Sequence, residues 1–179
     1  MIATIALAVA VSVGAPITAI AAQPSEPTLL IGDSIMIGTS KEIAQRLHVV
    51  GLYAIVGIGE MRTLQIITTL AATKKLQPII IIDLGNNGTV DEITLRKMLA
   101  ILRTCRHVVI VNANVPRVWR DDANTVIARI VPQYPNAIIA DWRTASNGKP
   151  FFGHDKVHPN TAGTRAYAQL IATSIESHL

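Results

Sequence analysis

A serine hydroxyl attacks a carbonyl at neutral pH only when a neighbouring imidazole takes its proton, and the imidazole works best with a carboxylate fixing its tautomer. This chain offers all three groups. Ser34 stands in Gly32-Asp33-Ser34, behind the apolar run Leu29-Leu30-Ile31. Asp155 and His158 lie three apart in a loop hemmed by Pro150, Gly153 and Pro159, near enough for the carboxylate to turn back onto the imidazole nitrogen that faces away from the serine. Acyl transfer also needs hydrogen-bond donors aimed at the developing oxyanion. Asn87 in Gly85-Asn86-Asn87-Gly88 has a side-chain amide for this, and Gly57 and Gly59 each have a backbone N–H that no Cβ obstructs. Gly57, directly after Val56, is the preferred candidate of the two.

Each cluster also has a plainer use. Asp33 or Ser34 would cap a helix, Asn-Gly pairs make tight turns, and the Asp155–His158 segment would serve as a polar surface loop. His154 and His158 are four apart, a spacing that on a helix holds a metal ion, but Pro159 and Gly153 argue against a helix there; no metal is expected. What favours chemistry is the conjunction of the four clusters, which depends on the elements that carry them.

Five short apolar runs are strand candidates: residues 28–31, 52–56, 78–84, 107–112 and 137–141. Ile79-Ile80-Ile81-Ile82 and Val108-Val109-Ile110-Val111 are continuous and β-branched, as in strands buried on both faces. Helix candidates at 39–47, 62–75, 90–103, 121–131 and 161–177 alternate with them, the third with Thr89 as its N-cap and Asp91 and Glu92 in its first turn. That alternation predicts an α/β fold, a three-layer α/β/α sandwich on a five-stranded parallel sheet in the flavodoxin-like order 2-1-3-4-5. In such sheets function gathers beyond the carboxyl ends of the strands. Gly32-Asp33-Ser34 follows the first strand, Gly57-Ile58-Gly59 the second, Gly85-Asn86-Asn87 the third, and the Asp155–His158 loop the fifth, so all four should meet at one edge.

Composition bounds the rest. The chain's 179 residues suit one domain with an appendage. Sixteen Lys and Arg against twelve Asp and Glu give +4, dispersed along the chain, and aromatics are 4%, so neither a basic stripe nor a base-stacking platform for nucleic acid is present. Cys105 is the only cysteine, which rules out an intrachain disulfide. Residues 1–22 are almost wholly apolar or small and carry no charge. They read as a signal peptide, with Ala19-Ile20-Ala21 as a cleavage-like site but no basic n-region, or as the remnant of a membrane span. Residues 23–27 read as a stiff polar linker and 28–179 as the catalytic domain. Either reading of the N-terminus makes the domain extracytoplasmic, secreted or membrane-anchored.

Over 28–179 these motifs resemble those of the SGNH hydrolases, the GDSL-like esterases and lipases: Gly32-Asp33-Ser34 for the nucleophile block, a glycine after the second strand, Gly85-Asn86-Asn87 for the Gly-x-Asn block and Asp155-x-x-His158 for the last. The resemblance implies Ser34, Asp155 and His158 as the catalytic residues and an oxyanion hole of the Ser34 amide, the Gly57 amide and the Asn87 side chain. A narrower likeness runs through Val111-Asn112, Val115-Pro116-Arg117-Val118-Trp119 and Ala140-Asp141-Trp142, which are similar to the extracytoplasmic domains fused to type 3 membrane acyltransferases. Those domains are associated with O-acetylation of peptidoglycan and other surface polysaccharides. The likeness implies an O-acetyltransferase whose partners are an acyl-ester donor, a polysaccharide or water acceptor and a membrane acyltransferase domain, with no cofactor. Arg117 and Trp119 would line an acceptor groove, or Trp119 would only plug the sheet edge. The alternatives are a secreted carbohydrate acetylesterase or small lipase and, in another class, a non-catalytic glycan-binding domain.

Overall fold

The computed structural model describes residues 26–178. The apolar segment 1–22 and the start of the linker lie outside the described residues. Five parallel strands, β1 (Thr28–Gly32), β2 (Val49–Ala54), β3 (Ile79–Asp83), β4 (His107–Val111) and β5 (Ala137–Ala140), form one sheet in the order β2-β1-β3-β4-β5. The helices are α1 (Ser34–Ala44), α2 (Glu60–Ala72), α3 (Glu92–Ile101), α4 (Arg120–Ile130), α5 (Trp142–Ser146) and α6 (Thr161–Glu176).

The alternating direction of strand side chains explains the layering. Leu29, Ile31, Ile80, Ile82, Val108 and Ile110 pack with α2, α3 and α4 on one face. Leu30, Ile79, Ile81, Val109 and Val111 pack with α1, α6 and Trp142 on the other. The central β1, β3 and β4 are buried along their whole length, as their continuous apolar runs require, whereas edge strand β2 is partly exposed.

The elements depart from the expected boundaries at informative places. β2 begins at Val49 rather than 52, because pairing with β1 starts at Thr28↔Val49 and carries a bulge before Leu29↔Gly51. The chain leaves the sheet soon after, with the Ile55 N–H on the Gly32 carbonyl at 3.0 Å and Gly57 at φ +75°. Helix α1 begins at Ser34 rather than 39, since Asp33 caps it through the Ile35 N–H at 2.8 Å. The cap of α3 is Asp91, not Thr89: its carboxylate accepts from the Thr94 N–H at 2.9 Å. The short α5 was not expected; Asp141 starts it by accepting the Thr144 N–H. Among the described residues no helix is long and apolar enough to cross a membrane.

Candidate active site

The carboxyl ends of β1, β2 and β3 and the loop before α6 bring the chemistry-bearing residues to one edge. Ser34 is the first residue of α1, so its N–H has no carbonyl of its own helix to bond. Its Oγ lies 2.9 Å from Nε2 of His158, across 124 residues of sequence. On the far side of the ring, Nδ1 lies 2.6 Å from Oδ2 of Asp155. Oδ1 of Asp155 accepts the N–H groups of Val157 and His158, both at 3.0 Å. The imidazole contact and these two amides hold the Asp155 carboxyl well below the usual carboxylate range, so it is ionised at any working pH. An ionised carboxylate only accepts, which places the imidazole proton on Nδ1 and leaves the Nε2 lone pair toward the serine hydroxyl. His158 and Asp155 are each about half exposed, at 49% and 52%, so the edge is open to incoming acceptors.

The loop carrying His158 is strapped at both ends. The Gly153 N–H donates to the His158 carbonyl at 2.8 Å, and the Asn160 N–H donates to Phe151 at 2.8 Å. The Asn160 side chain then caps α6 through the Ala162 and Gly163 N–H groups and donates to the carbonyls of Pro150 and Phe152. A Cβ at Gly163 would collide with the Phe151 carbonyl, so only glycine lets the loop lie this close to α6. Beneath it Trp142 stacks on Phe151 and meets Phe152 and Tyr167 edge-on.

Asp33 organises the opposite side. One oxygen accepts the Ile35 N–H at 2.8 Å and the other accepts the Asn87 amide at 2.6 Å. An amide nitrogen carries two hydrogens, and this bond uses one. An oxygen placed beside Asn87 could accept the second, with the amide orientation fixed by Asp33. Burial raises the pKa of Asp33, against the pull of the Ile35 N–H and the Asn86 side chain.

The two glycines after β2 are placed differently. Gly57 occupies a left-handed turn (φ +75°) that the Ile58 N–H closes on the Ile55 carbonyl, and it does not line the cleft beside Asp33 and Asn87. Gly59 does line that cleft, and it is the N-cap of α2, with its carbonyl accepting the Thr63 N–H. Trp119 is half-buried and donates its indole N–H to the Gly85 carbonyl at 3.1 Å, so it braces the β3–α3 loop that carries Asn87. Arg117 and Val118 are exposed beside Trp119 on the β4–α4 loop, and neither Arg117 nor Trp119 lines the cleft. The bracing parts, Asp33 as a clamp and Asn160 as a strap, were missed in the sequence, where each reads as an ordinary cap. A carboxyl ending the otherwise all-isoleucine β3, Asp83, was a signal that could have been taken up.

No family model matches the chain. Over 150 residues it is 31% identical to the peptidoglycan O-acetyltransferase OatA of Listeria monocytogenes, a match covering 82% of this chain and 23% of that protein. Over 153 residues it is 28% identical to the O-acetyltransferase OatA of Staphylococcus aureus, covering 84% and 25%. The chain thus spans about a quarter of the length of these relatives. Among solved structures, the C-terminal catalytic domain of Streptococcus pneumoniae OatA, solved with a methylsulfonyl adduct, superposes with a TM-score of 0.74 at 21% identity, covering 87% of this chain and 95% of that one. A member of the lipolytic G-D-S-L family from Veillonella parvula gives 0.67 at 20%, covering 86% and 99%. The chain is therefore a homologue of the peptidoglycan O-acetyltransferases over part of their length, and its fold is that of the SGNH, or GDSL, hydrolases.

Proposed function

We propose that this domain transfers an acyl group, foremost acetyl, to a hydroxyl of a cell-wall polysaccharide through an acyl-serine on Ser34. The observation that carries the reading is the unbroken relay from Ser34 Oγ to His158 Nε2 at 2.9 Å and from His158 Nδ1 to Asp155 at 2.6 Å. Ser34 Oγ attacks the ester carbonyl while Nε2 of His158 takes the hydroxyl proton. The carbonyl oxygen gains charge facing the N–H groups of Ser34, Gly59 and the Asn87 side chain. The tetrahedral centre then expels its alkoxide, which leaves as the alcohol with the proton from His158. In the second half the acceptor hydroxyl gives its proton to His158 and attacks the acyl-serine carbonyl, and His158 returns that proton to Ser34 Oγ as the acyl–serine bond breaks.

The acceptor decides between the two names for this chemistry. Water makes an esterase and a sugar hydroxyl a transferase. The similarity to O-acetyltransferases of Listeria and Staphylococcus supports the transferase, and the peptidoglycan substrate of the first supports a glycan acceptor. On this reading the domain acts outside the cytoplasm, beside a membrane acyltransferase domain that supplies the donor, and residues 1–22 serve as its export signal or anchor.

The test is to incubate the domain with an acetyl ester, with and without chitooligosaccharides or muropeptides, and to follow free acetate and acetylated sugar by mass spectrometry. Acetylated sugar formed at the expense of acetate is the expected result. Acetate alone assigns an esterase, and no turnover leaves a glycan-binding module.

A further inference from the structure

Asp83 takes no part in the acyl transfer just described, yet it ends β3 as a carboxyl 4% exposed, directly beneath the turn that carries Ser34. Its Oδ1 accepts the Asp33 N–H at 3.0 Å. A Cβ at position 32 would run into this carboxyl, so Gly32 keeps the space for it. Its Oδ2 is buried with no hydrogen-bond partner. The Asp33 carboxyl lies near that of Asp83, close enough for each to act on the other's protonation. Two carboxyls are therefore packed together in the interior, and among the described residues no Lys or Arg pairs with either.

Two like charges in contact out of water cannot both persist; one group keeps a proton. The surroundings decide which. Asp33 accepts donors on both oxygens, from Ile35 and Asn87, and feels the charge of His158 when that ring is protonated. Asp83 accepts the Asp33 N–H at Oδ1, is approached by the Met36 N–H, and has no hydrogen-bond partner at Oδ2, while both residues are buried to the same degree, Asp33 at 3% and Asp83 at 4% exposed. The other groups facing them are Met36 of α1, the Asn86 amide and the Tyr167 hydroxyl of α6, which is itself buried without a partner. Burial, followed by the charge of Asp33, pushes Asp83 well above the carboxylate range, and burial likewise keeps the Tyr167 hydroxyl protonated.

We propose that Asp83 is a positioning residue that remains a neutral acid at working pH, holding its proton on Oδ2 against the Asp33 carboxylate, and so fixes both the Ser34 turn and the Asn87 amide. The proposal rests on Ser34 as the nucleophile. Acting through Asp33, the acid ties the nucleophile and the oxyanion donor to one buried point: its Oδ1 holds the Asp33 backbone, and its proton lets Asp33 stay charged toward Ile35 and Asn87.

Asp83→Asn tests this, because an amide keeps the acceptor for the Asp33 N–H and replaces the acid O–H with an N–H that does not titrate. Two readouts are compared on the whole chain for wild type, Asp83→Asn and Asp83→Leu: kcat and KM for an acetyl ester against pH, and the infrared band of a protonated carboxylic acid. Asp83→Asn is expected to hold kcat within about 3-fold at neutral pH, while Asp83→Leu, which strands the buried Asp33 N–H, loses about 5- to 150-fold in kcat with little change in KM. The wild-type acid band should be present at neutral pH, absent from Asp83→Asn, and lost on alkalinisation together with kcat. An active wild type without that band, or Asp83→Asn falling as far as Asp83→Leu, overturns the proposal. Should Asp83→Leu fail to fold, Asp83→Asn and the infrared band decide. An inert wild type that shows the band would instead overturn the acyl-transfer reading, and the positioning role with it.

Discussion

Replacing Asp155 by Asn should cost far more than the loss of one surface charge, because it inverts the imidazole. The carboxylate presents acceptors on both sides: Oδ2 to His158 Nδ1, and Oδ1 to the Val157 and His158 amides. An asparagine has one acceptor and one donor end. If its oxygen keeps the two backbone amides, its NH2 faces Nδ1, which must then accept, and the proton moves to Nε2, where it blocks removal of the Ser34 proton. If the amide flips to restore the tautomer, both backbone donors lose their acceptor. Each neutral hydrogen bond is worth a factor of about 2 to 12 in population, so the competent flip is disfavoured by about 5- to 150-fold. Losing the negative charge beside the imidazolium adds to this, and a buried triad of this type loses about 10⁴-fold in kcat on the same change. With Asp155 about half exposed, water softens the effect, and the expected drop in kcat is between about 10²- and 10⁴-fold. Burst kinetics with p-nitrophenyl acetate measure it. A kcat within about 3-fold of wild type would refute the relay as the source of the base.

Other changes should separate the parts of the site. Asn87→Ala removes the proposed oxyanion donor and should lower kcat by about 10²- to 10³-fold with KM little changed, read by steady-state assay. Trp119→Phe removes the indole bond to the Gly85 carbonyl and should reduce kcat a few-fold while leaving the fold intact by circular dichroism. Asn160→Ala loses the α6 cap and its bonds to Pro150 and Phe152; a cap alone is worth about 1–2 kcal/mol, so calorimetry should find Tm lower by about 2–8 °C. Stability should also depend on pH with a definite sign. Asp83 is raised in the folded state, so between the ordinary carboxylate range and its folded value the native protein holds the extra proton, and stability falls as pH rises, by at most about 1.4 kcal/mol per unit. Asp155 is lowered, and its contribution is instead lost on strong acidification. Asp83→Asn should flatten the alkaline slope in a pH series of thermal melts.

The architecture was legible because burial writes itself into composition. The runs Ile79–Ile82 and Val108–Val111 are apolar at every position, as only strands covered on both faces need be, and the observed order β2-β1-β3-β4-β5 is the one expected. Boundaries were less legible where one hydrogen bond sets them: Ser34 opens α1 because Asp33 caps it, and Asp91 rather than Thr89 caps α3. At the site, Ser34, Asp155 and His158 were named from residue type, spacing and the resemblance of their motifs to those of the SGNH hydrolases, and the structure brings the three into contact. Gly57 and Gly59 were not separable that way, because a left-handed turn at one and a helix start at the other both suit glycine. The clamp of Asp33 on Asn87 and the bond of Asp83 to the Asp33 N–H were not readable for another reason: the partners lie 54 and 50 residues apart, and although a carboxyl ending the all-isoleucine β3 marks Asp83 as unusual, no local pattern records whom it meets.

The account stands on a covalent acyl group at Ser34. Rapid quenching of the domain during turnover of an acetyl ester, followed by peptide mass spectrometry, should find an acetyl group on the peptide containing Ser34, absent from Ser34→Ala and much reduced in His158→Ala. Turnover with no acetyl-enzyme at any quench time, or an acetyl group on another residue whose removal abolishes activity, would contradict it.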